Sequence, residues 1–298
     1  MSETNIINDY LAGAIGGCAG VVVGHPLDTI KVQIQTQEYG GKYASMMDCI
    51  RTVQAQNLSK GYFRGLSWPL FSYGVINSVF FGTYGVALKA QGCEEIAGSK
   101  PQYGAIAIAS AVATLPQLLI MCPVEVIKVT LQSQIPHTHN VPKTAAKQYF
   151  SGPMEAATSI IKTSGYRGMY RGFCTQIIRD TPASVAYLVI YSFLQYESQK
   201  RMPSFPSQLG NFISGGISGV LSWMIIMPFD VIKSKLQADP NKQMYEGFWD
   251  CTKKVYSAGG LRAFIMGFVP MSIRAFPVNA VTLMVYSESL LYLNRYNS

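Results

Sequence analysis

Apolar residues gather into six long stretches, at about residues 8–36, 68–91, 103–133, 173–199, 208–237 and 268–294, separated by polar and amphipathic segments. A bilayer core is crossed by about 20 residues of helix, so each stretch predicts one membrane-spanning helix. Small and polar residues interrupt all six, which predicts helices that face one another around a polar space instead of facing lipid on every side. Gly13, Gly17, Gly20 and Gly24, and later Gly215 and Gly219, recur at three- and four-residue steps suited to close helix packing; the third stretch carries mostly alanines there.

The chain is internally repetitive. PLDTIKVQIQ begins at Pro26, PVEVIKVTLQ at Pro123 and PFDVIKSKLQ at Pro228, 97 and 105 residues apart. A second element follows each, GYFRG ending at Gly65, GMYRG ending at Gly172 and AFIMG ending at Gly267. The distance from the proline to Arg64, Arg171 or Met266 is 38, 48 and 38 residues, so the second unit holds a ten-residue insertion, placed at the polar loop 136–146. Three units result, 1–98, 99–203 and 204–298, each with two spanning helices and an amphipathic stretch between them.

Composition agrees with a membrane. Only 13% of residues are charged, against about a quarter in soluble domains, and mean hydropathy is +0.17. The net charge of +8 suits anionic lipid or an anionic ligand, and no nucleic-acid motif accompanies it. Seventeen of the 24 Lys and Arg lie between Lys31 and Arg64, Lys128 and Arg171, and Lys233 and Arg262, which places those segments on the negative side of the membrane. MSETNIINDY has neither a signal-peptide nor a transit-peptide pattern, predicting no cleavable address. The six cysteines form no CxxC pair and read as buried free thiols. No P-loop, GxSxG or dinucleotide fingerprint is present, so the chain is not read as an enzyme, and no metal site is expected.

In each repeated motif a proline removes a backbone hydrogen bond, so Pro26, Pro123 and Pro228 are expected to kink their helices and swing the next turn inward. That turn carries an acid and a base three residues apart: Asp28 and Lys31, Glu125 and Lys128, Asp230 and Lys233. Such spacing puts both on one helix face, where they could pair within the helix or between neighbouring helices. Gln35, Gln132 and Gln237 follow four residues after each lysine, able to bridge a pair through the amide.

The triplicated Pro-x-[Asp/Glu]-x-x-Lys, followed by aromatic-Arg-Gly or its remnant, resembles the mitochondrial carrier family, solute carrier family 25, over nearly the whole chain. The resemblance implies an all-α, three-fold pseudosymmetric bundle of six transmembrane helices with short matrix helices, in the inner membrane, with both termini facing the intermembrane space. It also implies alternating access to a central site in a monomer. The motif charges would then pair between helices as a matrix gate braced by the three glutamines. Arg64-Gly65 and Arg171-Gly172 resemble the family's cardiolipin sites, and Met266-Gly267 departs from them. At the opposite, cytoplasmic gate the family's aromatics are matched by Tyr84, Tyr191 and Tyr286, but its charges are replaced by Gly85, Ser192 and Ser287 and by Leu88, Gln195 and Leu290. A weak cytoplasmic lock predicts unidirectional transport competing with exchange.

Aligning the even-numbered spanning stretches on Gly65, Gly172 and Gly267 brings Ser72, Arg179 and Arg274 into register, then Tyr73 and Asp180, then Asn77, Ser184 and Asn279. These positions share one face and break the three-fold symmetry, as an asymmetric ligand requires. Ionisable residues at membrane depth are costly and mark sites, the alternative being a structural Arg–Asp pair. An arginine holds a carboxylate, an aspartate holds an ammonium or trimethylammonium, and the rings of Tyr73 or Tyr187 add a face for a cation. A small zwitterionic or cationic solute is expected. RDTPAS and RAFPVNAV resemble the carnitine/acylcarnitine and ornithine branch, whereas VINSVFFG is closer to less characterised relatives. Carnitine, basic or methylated amino acids and choline-like cations stay open, as does a carrier of the same fold acting as a proton leak or carboxylate transporter.

Overall fold

A computed structural model describes residues 3–37, 43, 45–55, 61–93, 101–134, 150–201 and 207–296. Six long helices dominate it: α1 (Glu3–Thr36), α3 (Ser67–Ala90), α4 (Tyr103–Ser133), α7 (Phe173–Arg201), α8 (Ser207–Ala238) and α10 (Phe268–Tyr296). They match the six apolar stretches to within a few residues; α1, α4 and α8 are the first, third and fifth spanning helices, called odd below, and α3, α7 and α10 the second, fourth and sixth, called even. Shorter helices lie between members of a pair: α2 (Met46–Gln54), α5 (Pro153–Ser164) with the single turn α6 (Tyr166–Met169), and α9 (Phe248–Gly259) followed by a 3-10 turn, Gly260–Ile265. The inserted segment 136–146, with His137 and His139, lies outside the described residues.

Among the described residues four stretches are long and apolar enough to cross a membrane by themselves: Leu11–Thr36, Tyr103–Ser133, Ile213–Ala238 and Phe248–Tyr286. Helix α3 is shorter but as apolar as its neighbours, whereas α7 is more polar and carries Arg179 and Asp180. Packing explains how they are accommodated. Helix α1 runs along α10, α3 along α4, α7 along α8, and α4 also along α7; lighter contacts of α1 with α3 and of α8 with α10 close the six helices into a ring. Outward faces present Leu11, Phe71, Val75, Leu119, Ile225 and Met284 to the surroundings, as lipid contact requires.

Three equivalent small cores sit beneath the odd helices, and they are the physical form of the repeat. Cys49 and Val53 of α2, Ala156 and Ile160 of α5, and Cys251 and Val255 of α9 are each four residues apart and therefore share a face. They bury against Ile30, against Val126, Ile127 and Leu131, and against Ile232 and Leu236. Each even helix then starts after a glycine held at positive φ: Gly65 at 79°, Gly172 at 78° and Gly267 at 87°. A side chain there would be strained, which accounts for the glycine that ends each copy of the second motif. The six cysteines are free; Cys49, Cys122 and Cys251 are buried, while Cys174 is exposed, against the expectation of uniform burial.

Helix continues through Pro26, Pro123 and Pro228, and equally through Pro116, Pro182 and Pro277. The motif prolines interrupt a ladder of backbone bonds without ending the helix, and the charged turn follows one to two residues later.

Candidate functional site

The charges of the three motifs meet between helices. Lys31 on α1 reaches Asp230 on α8 at 2.8 Å, Lys128 on α4 reaches Asp28 on α1 at 2.7 Å, and Lys233 on α8 pairs with Glu125 on α4. Each odd helix gives its lysine to one neighbour and its acid to the other, a closed ring of three pairs. Asp230 is fully buried and Lys233 nearly so; burial removes the screening by water but costs desolvation, so such a charge is expensive to leave without its partner.

The three glutamines, all fully buried, behave differently from one another. Gln35 donates to Asp230 Oδ2 at 2.7 Å and accepts from Ser234, bracing the Lys31–Asp230 pair directly. Gln237 donates to Gln176 at 3.1 Å, and Gln176 in turn donates to Glu125 Oε2 at 2.7 Å. Gln132 contacts no ring pair among its described bonds; its amide reaches Thr29 Oγ1 at 3.0 Å and His25 Nε2 at 3.3 Å. Of the three amides, that of Gln35 touches one member of a ring pair directly and that of Gln237 reaches another through Gln176.

The two central arginines are built into the ring. Arg179, 5% exposed, pairs with Asp230 Oδ1 at 2.8 Å and donates through Nε to its neighbour Asp180 at 2.5 Å, with Glu125 at 3.9 Å. Arg274 pairs with Asp28 Oδ1 at 2.9 Å, not with Asp180. Both ring aspartates are therefore divided oxygen by oxygen: Oδ2 faces a ring lysine and Oδ1 a central arginine. Gly24 makes room for this on α1, since a Cβ there would lie 2.8 Å from Arg274 Nε. Lys31, Lys128, Lys233, Arg179 and Arg274 against Asp28, Glu125, Asp180 and Asp230 are five cations and four carboxylates, leaving one positive charge in excess in this cluster.

The family model described as mitochondrial carrier protein matches residues 2–92, 99–201 and 205–297. The chain belongs to the mitochondrial carrier family. It is 37% identical over 295 residues to solute carrier family 25 member 45 of Mus musculus, covering 97% of this chain and 99% of that one. To solute carrier family 25 member 48 of Bos taurus it is 35% identical over 299 residues, covering 95% and 94%. To the mitochondrial basic amino acids transporter of Bos taurus it is 35% identical over 291 residues, covering 95% and 91%. Members of this family are multi-pass solute transporters of the inner mitochondrial membrane, not enzymes.

Several polar residues of this carrier's expected site bond to their own helices. Ser72 donates to the Trp68 carbonyl at 2.8 Å, Asn77 to the Tyr73 carbonyl at 2.9 Å, and Ser184 to the Asp180 carbonyl at 2.5 Å while also meeting Thr114 at 2.8 Å. Back-bonding of this kind is how such side chains satisfy themselves in a helix interior. Tyr73 lies against Gly17, where a Cβ would fall 2.1 Å from its ring, and Tyr187 stacks on Tyr191 at 6.1 Å. The side chain of Asn279 lies outside the described ones.

At the other end of the carrier, Tyr84 is buried between α3 and α4 beside Phe80, Leu88 and Ala109, Tyr191 stacks within α7, and Tyr286 sits beside Gly16 at the α1–α10 seam. Arg64 and Arg171, expected at lipid phosphates, place their guanidinium groups elsewhere. Arg64 donates to the Phe150 carbonyl at 2.7 Å, and Arg171 donates to the Glu246 carbonyl at 3.0 Å and to that of Tyr245. Each arginine latches its repeat to the next one. At the third junction stands Met266, and a cavity of about 510 Å³ lined by Tyr43, Ser45, Met46, Met266 and Phe268 lies there.

Two residues that sequence patterns did not single out belong to this site. Trp223 on α8 lies 4.9 Å from Lys31 Nζ and 5.6 Å from the Arg179 guanidinium, between a ring lysine and a central arginine. Gln176 precedes Arg179 by three residues on the same face of α7, a spacing that could have marked it.

Proposed function

We propose that this carrier moves a small amino-acid-like or carnitine-like zwitterion across the inner membrane by alternating access, and that the substrate's carboxylate acts on the matrix gate. The observation that carries the reading is the division of Asp28 and Asp230 between a ring lysine and a central arginine. A carboxylate arriving from the cytoplasmic side competes with Asp230 for Arg179 and with Asp28 for Arg274. Each arginine that turns to the substrate removes one of two cations from a ring aspartate, so binding weakens the ring that holds the matrix side shut.

Charge supports the same class. One excess positive charge in the cluster favours an anionic group, and bidentate arginine suits a carboxylate. Asp180 keeps a buried Oδ2 without a partner, an acceptor for the substrate's ammonium or trimethylammonium. One similar protein is named as a transporter of basic amino acids, which puts arginine, lysine and ornithine first among the solutes to try. Cardiolipin is the structural lipid expected at the starts of α3 and α7, held by backbone amides near Gly65 and Gly172 since the arginine side chains are bonded elsewhere.

Uptake of radiolabelled arginine, lysine and carnitine into liposomes bearing the full chain tests this reading. One of them is expected to enter, and Arg274→Ala is expected to lower its rate at least about tenfold, the usual cost of a lost charged hydrogen bond. Uptake of none of the three, or uptake indifferent to Arg274→Ala, overturns it.

A further inference from the structure

The three ring carboxylates are each approached from an even helix, but not by the same chemistry. Asp230 is met by Arg179 of α7 at 2.8 Å and Asp28 by Arg274 of α10 at 2.9 Å, whereas Glu125 has Arg179 only at 3.9 Å and takes its hydrogen bond from Gln176 of α7, whose Nε2 donates to Oε2 at 2.7 Å, the same oxygen that holds Lys233. Gln176 is fully buried, and its Oε1 accepts from the amide of Gln237 at 3.1 Å. The chain Gln237–Gln176–Glu125–Lys233 begins and ends on α8 and runs through α7 and α4, joining three helices at one ring pair. Four residues after the glycine of each motif stand Pro69, Gln176 and Met271, so the second repeat alone has an amide here.

We propose that Gln176 is a positioning residue of the matrix gate that holds Glu125 on Lys233 with a neutral group. A substrate carboxylate that draws Arg179 and Arg274 away does not compete for Gln176, because an amide donor has far less attraction for an anion than a guanidinium has. The gate therefore has two pairs that lose a close arginine to the substrate and a third, with Arg179 only at 3.9 Å, that keeps its neutral brace until α4, α7 and α8 separate. This asymmetry rests on the carboxylate reading above, but the bracing of Glu125 by Gln176 does not.

The bracing is tested without any substrate. Thr130 of α4 is 3% exposed, its Oγ1 donating to the Gln237 carbonyl at 3.3 Å across the α4–α8 contact, so a cysteine there reacts only when the ring end opens. Full-length Thr130→Cys in nanodiscs is treated with a water-soluble maleimide, and modification at position 130 is followed by peptide mass spectrometry. Adding Gln176→Leu is expected to raise the labelling rate about tenfold, one hydrogen bond to a charged group having been lost. Glu125→Gln is expected to raise it as well, and Gln176→Leu in the Glu125→Gln background to add nothing further. Gln176→Ser, too short to reach Glu125, carries the same expectation should Gln176→Leu fail to fold. Labelling unchanged by either replacement, or increases that multiply in the double variant, overturns the proposal. Because no solute is present, its failure is separable from failure of the carboxylate reading.

Discussion

Arg179 of α7 and Asp230 of α8 stand 2.8 Å apart, and the other oxygen of the same carboxylate stands 2.8 Å from Lys31 of α1. One fully buried aspartate thus binds three helices, and the residue aligned for solute contact is simultaneously part of the gate. Removing one partner from a buried pair costs about 3–5 kcal/mol, so single charge deletions in the ring should be severe.

Charge exchange distinguishes two of the three pairs. Lys233→Glu combined with Glu125→Lys restores a pair beside the neutral Gln176, with Arg179 only at 3.9 Å, and should regain part of the melting temperature lost in either single variant. Lys31→Asp combined with Asp230→Lys places a lysine against Arg179 and should not recover. Thermal melting of the six purified proteins reads both outcomes; equal recovery would show that the arginines do not load the aspartates.

Gly24→Ala should damage the site without touching a charge. The added Cβ would fall 2.8 Å from Arg274 Nε and 2.8 Å from Val278, so the arginine must leave Asp28 or α1 must move away from α10. A lowered melting temperature and slower uptake are expected, while Gly13→Ala, where nothing lies within 4 Å, should leave both unchanged.

Much of this was legible in the sequence, for reasons particular to the elements. Apolar length fixed the ends of the six helices, and the three-residue step from Asp28 to Lys31, repeated twice, placed the ring charges on one face. Which lysine meets which acid depends on how neighbouring helices are packed, and spacing within a helix left that open. The latches made by Arg64 and Arg171 carried no local signal, because their carbonyl partners, at Phe150, Tyr245 and Glu246, are more than 70 residues away. Gln176 and Trp223 escaped notice because neither repeats; a single amide or indole in an apolar helix carries no periodic signal until its neighbours are known.

Met266→Arg should strengthen the third junction. Arginines at the matching positions donate to carbonyls of the following repeat, and the cavity beside Met266 leaves space for a guanidinium. Gains of about 1 kcal/mol per hydrogen bond predict a melting temperature raised by a few degrees, and Arg171→Met should lower it. No change in either variant would show that the latches are not stabilising.

Cysteine labelling should be selective. Cys174 is exposed, Cys251 is buried in the core beneath α9, and burial pushes the Cys251 thiol up to about 12, so it stays protonated at neutral pH. Since the thiolate is the reactive form, maleimide should modify Cys174 first and Cys251 only after unfolding, as peptide mass spectrometry would read. Modification of Cys251 in the folded carrier at neutral pH would contradict the packing of α9.

The most direct test of the central claim compares solutes that differ only in the carboxylate. A ligand that binds the folded state raises the melting temperature, so the purified carrier is melted with arginine against agmatine and with carnitine against (2-hydroxypropyl)trimethylammonium. The account predicts that the carboxylate-bearing member of one of these pairs stabilises the protein, that its decarboxylated partner does not, and that the shift disappears in Arg274→Ala. Equal stabilisation by both members of a pair, or a shift that survives Arg274→Ala, would contradict it.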